Sequence, residues 1–171
     1  DAGKAAEAGG PGADGTEDEP TLLDLVRERH TVIVELDTPR TLSVDRYMKG
    51  AAALKNAGVD AITLADNSLA MPRMCNLAMG MLLKQRLGMR TVLHVACRDR
   101  NMIGMQSHLM GLHALGIRHI LALTGDPARF GDLPGASSVF DLNSFDLIRL
   151  TRQLNESVSF SGKPMKEKAR I

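Results

Sequence analysis

Short runs of apolar and β-branched residues recur along the chain at intervals of about 30 residues. The runs are TVIVEL (31–36), DAITLA (60–65), RTVLHVA (90–96) and RHILALT (118–124). Nearly unbroken apolar runs of this length are typical of strands that are buried on both faces, as in a parallel sheet. The pattern therefore predicts four strands.

The segments between these runs have helical spacing, as at Tyr47, Ala51 and Leu54 and from Met74 to Leu87. Glycine commonly ends a helix in the left-handed conformation, so that a strand can begin within a few residues. Such a glycine precedes each of the last three runs, at Gly58, Gly88 and Gly116. Strand, helix and strand at this period predict βαβ units with right-handed crossovers.

Two α/β architectures contain such units, and the first loop favours one of them. A doubly wound sheet that binds a nucleotide usually has a glycine-rich loop after its first strand, but here that place holds DTPRT (37–41). The even period favours a (β/α)8 barrel of the TIM type, which needs about 250 residues. We therefore expect residues 21–171 to form a partial barrel, its N-terminal half, with about four βα units. The fifth strand would begin near Ile171.

The first 20 residues differ in composition from the rest of the chain. They are rich in glycine, alanine and acidic residues and offer almost nothing to bury. We expect residues 1–20 to form a flexible linker. Thr21 then caps a short helix, with Asp24 three positions further on.

Composition narrows the function classes. The net charge of +1, the absence of Trp and the single Tyr argue against nucleic acid as a partner. No run of eighteen apolar residues and no signal peptide occurs, so we expect a cytoplasmic protein with no membrane partner. Cys75 and Cys97 are isolated, and the spacing of the histidines does not suit a metal site. Most of the ten methionines fall between Met71 and Met110, where we expect them to fill core gaps.

Polar residues follow each predicted strand. In both architectures a ligand binds beyond the carboxyl ends of the strands. Glu35 directly follows three apolar residues, and a buried carboxylate is costly unless it is paired or functional. Taken alone, Asp126 also suits a turn cap and His94 a core histidine. The strand-end residues are Glu35, Asp37, Thr63, Asp66, Asn67, His94, Cys97, Arg98, Asp99, Thr124, Gly125 and Asp126.

Four segments that contain these strand-end residues resemble segments of a known family. VELDTPRT (34–41), TLADNS (63–68), LHVACRD (93–99) and GIRHILALTGD (116–126) are similar to FEFFPPRT, TYGANS, PHLTCID and GIRHIVALRGD of the methylenetetrahydrofolate reductases. They occur in the same order and at similar separations. The family is a (β/α)8 flavoprotein that uses FAD and NADH or NADPH to reduce 5,10-methylenetetrahydrofolate to 5-methyltetrahydrofolate.

The resemblance implies roles for particular residues. It places Glu35 on the catalytic glutamate and Asp126 on the aspartate beside the flavin ring. A glutamate among apolar neighbours suits a general acid, because burial raises the pKa of a carboxyl group. The remaining implied contacts to FAD are Thr63, His94, Leu123, Thr124, Gly125, Asp126, Asn143 and Ser144.

The chain also departs from the family pattern. Thr124 stands where the single-function bacterial enzymes carry arginine, and Leu36-Asp37-Thr38 replaces an aromatic and proline stretch. NSFDL (143–147) is matched to YASDL, which is the basis for assigning diphosphate contacts to Asn143 and Ser144. VELD (34–37) and SFSGKP (159–164), after the acidic linker, are most similar to fusions of a homocysteine S-methyltransferase with the reductase, in one-carbon metabolism and methionine biosynthesis.

Three readings follow. The first is the N-terminal half of a flavin-dependent folate reductase that is inactive as a fragment. The second is a non-catalytic flavin- or folate-binding half barrel that regulates a fused methyltransferase; retention of Glu35 favours the first reading over this one. The third is a different α/β half domain, doubly wound or dimerising, with a phosphate ligand at the fourth loop. The two open sheet edges of a half barrel also favour pairing, as in a homo-oligomer.

Overall fold

The structure, a computed structural model, describes residues 20–171. The predicted linker over residues 1–20 lies outside this range except for Pro20. Four strands and five α-helices alternate along the described chain. They are α1 (Leu22–Glu28), β1 (Ile33–Glu35), α2 (Asp45–Asn56), β2 (Ala61–Leu64), α3 (Asn76–Leu87), β3 (Thr91–Ala96), α4 (Met102–Ala114), β4 (Ile120–Leu123) and α5 (Ser144–Asn155).

The strands form one parallel sheet in the order β1-β2-β3-β4. This order confirms the predicted partial barrel, because a doubly wound sheet would place a later strand on the other side of β1. Each observed strand lies inside its predicted run. The predicted turns before β2, β3 and β4 are also confirmed, since Gly58, Gly88 and Gly116 all have positive φ.

The start of α1 is fixed by its capping residue, as predicted. The Thr21 hydroxyl accepts a hydrogen bond from the Asp24 amide at 3.2 Å, and the Asp24 carboxylate accepts one from the Thr21 amide at 2.9 Å. This reciprocal pair satisfies two amides that a helix start leaves without partners. The Leu22 amide then donates to Nε2 of His119, which places α1 beside the amino end of β4.

The core lies between one face of the sheet and helices α2 to α5. On β2 and β3 this outer face carries Ile62, Leu64, Leu93 and Val95, all fully buried. Buried leucines and methionines of the helices pack against them, including Met79 and Met105. Methionine thus fills the core here as expected.

The inner face of the sheet is more open. The strand register places Ile33, Thr63, His94 and Leu121 on this face. Ile33 is 42% exposed and Leu121 is 46% exposed. No helix in residues 20–171 is long and apolar enough to cross a membrane.

The two faces predict different costs for the same substitution. Leu93→Ala should lower the free energy of unfolding by about 2–5 kcal/mol, because it removes fully buried methyl groups and leaves a cavity. Leu121→Ala on the neighbouring strand should cost less than about 1 kcal/mol, since its side chain is already exposed. Urea denaturation of both variants measures the difference. Equal losses would show that the inner face is packed as tightly as the outer face.

Candidate functional site

The predicted polar residues meet at one edge of the sheet, beyond the carboxyl ends of the four strands. The centre of this rim is a contact between Thr63 on β2 and His94 on β3. Oγ1 of Thr63 lies 2.6 Å from Nε2 of His94. The pair lies on the inner face of the sheet, where the resemblance places flavin contacts.

The protein environment disfavours the charged form of His94. Burial lowers the pKa of His94, since a charged imidazole loses solvation, and the negative charges of Glu35, Asp66 and Asp37 oppose this shift. A hydrogen bond from α3 also fixes the main chain of His94. Nδ2 of Asn76, at the start of α3, donates to the His94 carbonyl at 2.8 Å.

Glu35 ends β1 and pairs in register with Thr63. The expected burial of Glu35 is wrong, because its residue is exposed in this structure. β1 is an edge strand of the described sheet, and the register places Glu35 on its inner face beside Thr63. Its charge nevertheless acts on the pKa of His94, so the carboxylate and the imidazole share one electrostatic environment.

The fourth loop approaches β3 closely at Gly125. This residue has a φ of +91°, and a Cβ built on it would lie 3.2 Å from Cβ of Ala96 and 3.4 Å from Cβ of Arg98. A larger residue would be strained in conformation and crowded by its neighbours. Asp126 follows and is exposed. Its carboxylate accepts no hydrogen bond within residues 20–171, so it does not act there as a turn cap.

The start of α5 contains the predicted diphosphate contacts, but its backbone amides are already bonded. Oδ1 of Asn143 accepts from the amides of Phe145 and Asp146 at 2.9 and 3.0 Å. Oγ1 of Thr124 accepts from the Ser144 amide at 3.1 Å. A diphosphate at this place would have to contact side chains or displace these caps, and the Asp146 carboxylate in the first turn would repel it.

Sequence reasoning put Arg98 at the rim but gave it no role. The structure shows it to be 2% exposed, with its guanidinium bonded to the Asp99 carboxylate through two contacts of 2.7 Å. The same guanidinium donates to the main-chain carbonyls of Asp66, Asn67 and Asp126. The sequence signal that could have indicated this role is the adjacent Arg98 and Asp99, two oppositely charged residues just beyond a buried strand.

Ion pairs join the other loops of the rim. Arg73 binds the Asp37 carboxylate at 3.0 Å, and Arg40 pairs with Asp132. A cleft of about 190 Å³ lies between the second, third and fourth loops. Ligand pockets usually measure about 300–1,000 Å³, so this cleft alone is too small for a dinucleotide. Its lining is Asn67, Ala70, Pro72, Arg98, Asp99, Ala128, Leu133 and Ala136.

A parallel sheet in chain order, with a polar site at the carboxyl ends of its strands, defines a protein of the (β/α)8-barrel class. The sequence profile of one such family, described as methylenetetrahydrofolate reductase, matches residues 22–163. The chain belongs to the methylenetetrahydrofolate reductase family. A search of individually curated proteins found no significant match.

The shared environment of Glu35 and His94 can be tested by titration. We expect NMR titration to give His94 a pKa below the ordinary histidine value, and Glu35→Gln to lower that pKa further, because the Glu35 charge stabilises the imidazolium. Asp126→Asn is the matched control and should leave the pKa of His94 unchanged, since Asp126 is not among the charges acting on it. An unchanged pKa in Glu35→Gln would place Glu35 outside this site.

Proposed function

We propose that the chain supplies half of the active site of an FAD-dependent enzyme that reduces 5,10-methylenetetrahydrofolate to 5-methyltetrahydrofolate, with NADH or NADPH as donor. Family membership supports a reductase of this type. The observation that carries the finer proposal is the position of Glu35, the Thr63–His94 pair and Gly125–Asp126 on one rim. The four βα units would form the first half of the complete barrel.

The residues of the inner face fit a flavin. Gly125 leaves no room for a Cβ of its own against Ala96 and Arg98, so the fourth loop stays close to the end of β3. His94, whose pKa is lowered by burial, is bonded to Thr63 and offers a polar contact. Thr63, His94 and the segment from Leu123 to Asp126 would hold the ring. The chemistry that FAD would supply is two-electron transfer between nicotinamide and folate.

The fit is weaker at the diphosphate. Asn143 and Ser144 could contact it only through side-chain atoms, because the first amides of α5 are bonded within the protein. We therefore propose that α5 contributes less to FAD affinity than the NSFDL motif (143–147) alone suggests. Later segments of a complete barrel would supply the rest.

Glu35 would act as the general acid. Opening the five-membered ring of the folate requires a proton on a nitrogen, and a positioned carboxylic acid can deliver it. Because Glu35 is exposed, it can also take up a new proton from water after each turnover. Its place opposite Thr63 on the inner face supports this role.

Asp126 would act through its charge. The folate reacts as a cationic iminium, which a nearby carboxylate stabilises. The Asp126 carboxylate is exposed and accepts no hydrogen bond within the described residues, so it is available to a ligand. Its main chain is held by Arg98 at 3.2 Å, which limits its movement.

We further propose that a homocysteine S-methyltransferase precedes this reductase in the same protein. The support is the acidic, glycine-rich composition of residues 1–20 together with the variant motifs VELD (34–37) and SFSGKP (159–164). If the reading as a non-catalytic module were right, flavin or folate would bind without turnover. A visible spectrum with no flavin bands in the complete protein would oppose both readings.

Glu35→Gln tests the proton-transfer role in the complete barrel. The amide keeps the shape of the side chain but removes the transferable proton, so the rate of flavin reoxidation by methylenetetrahydrofolate should fall by about 10²–10⁴-fold. Flavin binding and flavin reduction by nicotinamide should stay near wild type, because neither needs that proton. Stopped-flow absorbance measures both half-reactions. Reoxidation at the parent rate would remove Glu35 from the mechanism.

Asp126→Asn tests the charge. Removing a negative charge beside the ring should raise the midpoint potential of the flavin and slow its reoxidation by folate, with little change in flavin affinity. Asp132→Asn is a matched control, because Asp132 lies on the same loop but is paired with Arg40. A potential equal to that of wild type in Asp126→Asn, with unchanged reoxidation, would leave Asp126 without a role.

A further inference from the structure

The buried side chain of Arg98 joins three strand ends that the proposed site uses. Arg98 lies two residues beyond the end of β3. Its Nη2 donates to the carbonyls of Asp66 and Asn67, beyond β2, at 3.3 and 3.0 Å. Nη1 donates to the carbonyl of Asp126 beyond β4 at 3.2 Å. The guanidinium therefore bonds directly to the main chain of one of the two proposed catalytic residues.

Asp99 fixes the orientation of this guanidinium. Nε and Nη2 of Arg98 each lie 2.7 Å from one oxygen of the Asp99 carboxylate. Such a two-point contact sets the plane of the guanidinium, which a single ion pair would not. With that plane fixed, the remaining donors point in defined directions, and lysine could not reproduce them.

The backbone of Arg98 holds a fourth segment. Its carbonyl accepts from the amide of Val139 at 2.8 Å, in the loop between β4 and α5. Cβ of Arg98 also lies close to Gly125, within 3.4 Å of where a Cβ would be there. Asp126 is thus preceded by a residue packed on Arg98 and is itself bonded to Arg98.

We propose that Arg98 is the positioning residue of this site: held by Asp99, it sets the place of Asp126 relative to the ends of β2 and β3. In this role Arg98 acts through its hydrogen bond to the main chain of Asp126. Its effect on the loop stands independently of ligand chemistry, and its effect on turnover rests on the function proposed above.

The first experiment needs no cofactor. Hydrogen exchange of the amides of Ala128, Phe130 and Gly131, which are bonded within the fourth loop, reports whether that loop is held. Arg98→Lys keeps the positive charge but loses the planar guanidinium with its several directed N–H donors. We expect these amides to exchange at least about tenfold faster in this variant. Arg100→Lys is the matched control, because Arg100 pairs with the Asp66 carboxylate and does not bond to Asp126. Its fourth-loop amides should exchange as in wild type.

A milder variant covers the case in which Arg98→Lys does not fold. Asp99→Asn leaves Arg98 in place but weakens its two-point contact, and it should speed exchange of the same amides by a smaller factor. Unchanged exchange in a folded Arg98→Lys protein, or in Asp99→Asn when the lysine variant is unfolded, would overturn the proposal. Faster exchange in a complete barrel that binds no flavin would sustain it and reject the proposed function instead.

A double-mutant cycle in the complete barrel tests the link to Asp126. Arg98→Lys should slow flavin reoxidation by folate about tenfold in the parent protein, and should have no further effect in an Asp126→Asn background. A residue that merely supports the fold would slow both backgrounds by the same factor. Equal slowing in the two backgrounds would therefore show that Arg98 does not act through Asp126.

Discussion

The parallel alignment of β1 to β4 is the constraint on which the rest of the structure depends. Parallel strands end at the same edge of their sheet, so residues about 30 positions apart in sequence become neighbours. Thr63 and His94 illustrate this, since they are 31 residues apart and 2.6 Å apart in space. Helices that return the chain to the starting edge are a requirement of this alignment, and their apolar faces then form the core.

The sheet is stabilised mainly by apolar burial, and the loops at its carboxyl edge are held mainly by polar contacts. The outer face of β2 and β3 carries apolar side chains that are fully buried against the helices, which supplies most of the stabilisation. The loops of the rim are held by directed contacts, such as those of Arg73 with Asp37 and of Arg98 with Asp99. Directed contacts fix positions more closely than apolar packing does, as a binding site requires.

Local sequence signals predicted the fold well, because each has a local physical cause. The strand runs, the glycine turns and the Thr21 cap depend on residues only a few positions apart. The burial of Glu35 was predicted wrongly because it is not a local property. The exposure of a residue on an edge strand depends on which elements cover it and not on its flanking residues. The contacts of Arg98 span 28 to 32 residues, and no local pattern specifies them.

Pairing of charges distinguishes the rim carboxylates from one another. Asp37, Asp66, Asp99 and Asp132 each form an ion pair with an arginine of the rim. Within the described residues, Glu35 and Asp126 form none. A carboxylate bound to arginine has its charge compensated and is held in place, whereas an unpaired one can transfer a proton or stabilise a cation. Among the strand-end carboxylates, the two residues proposed as catalytic are therefore those that form no ion pair within the described residues.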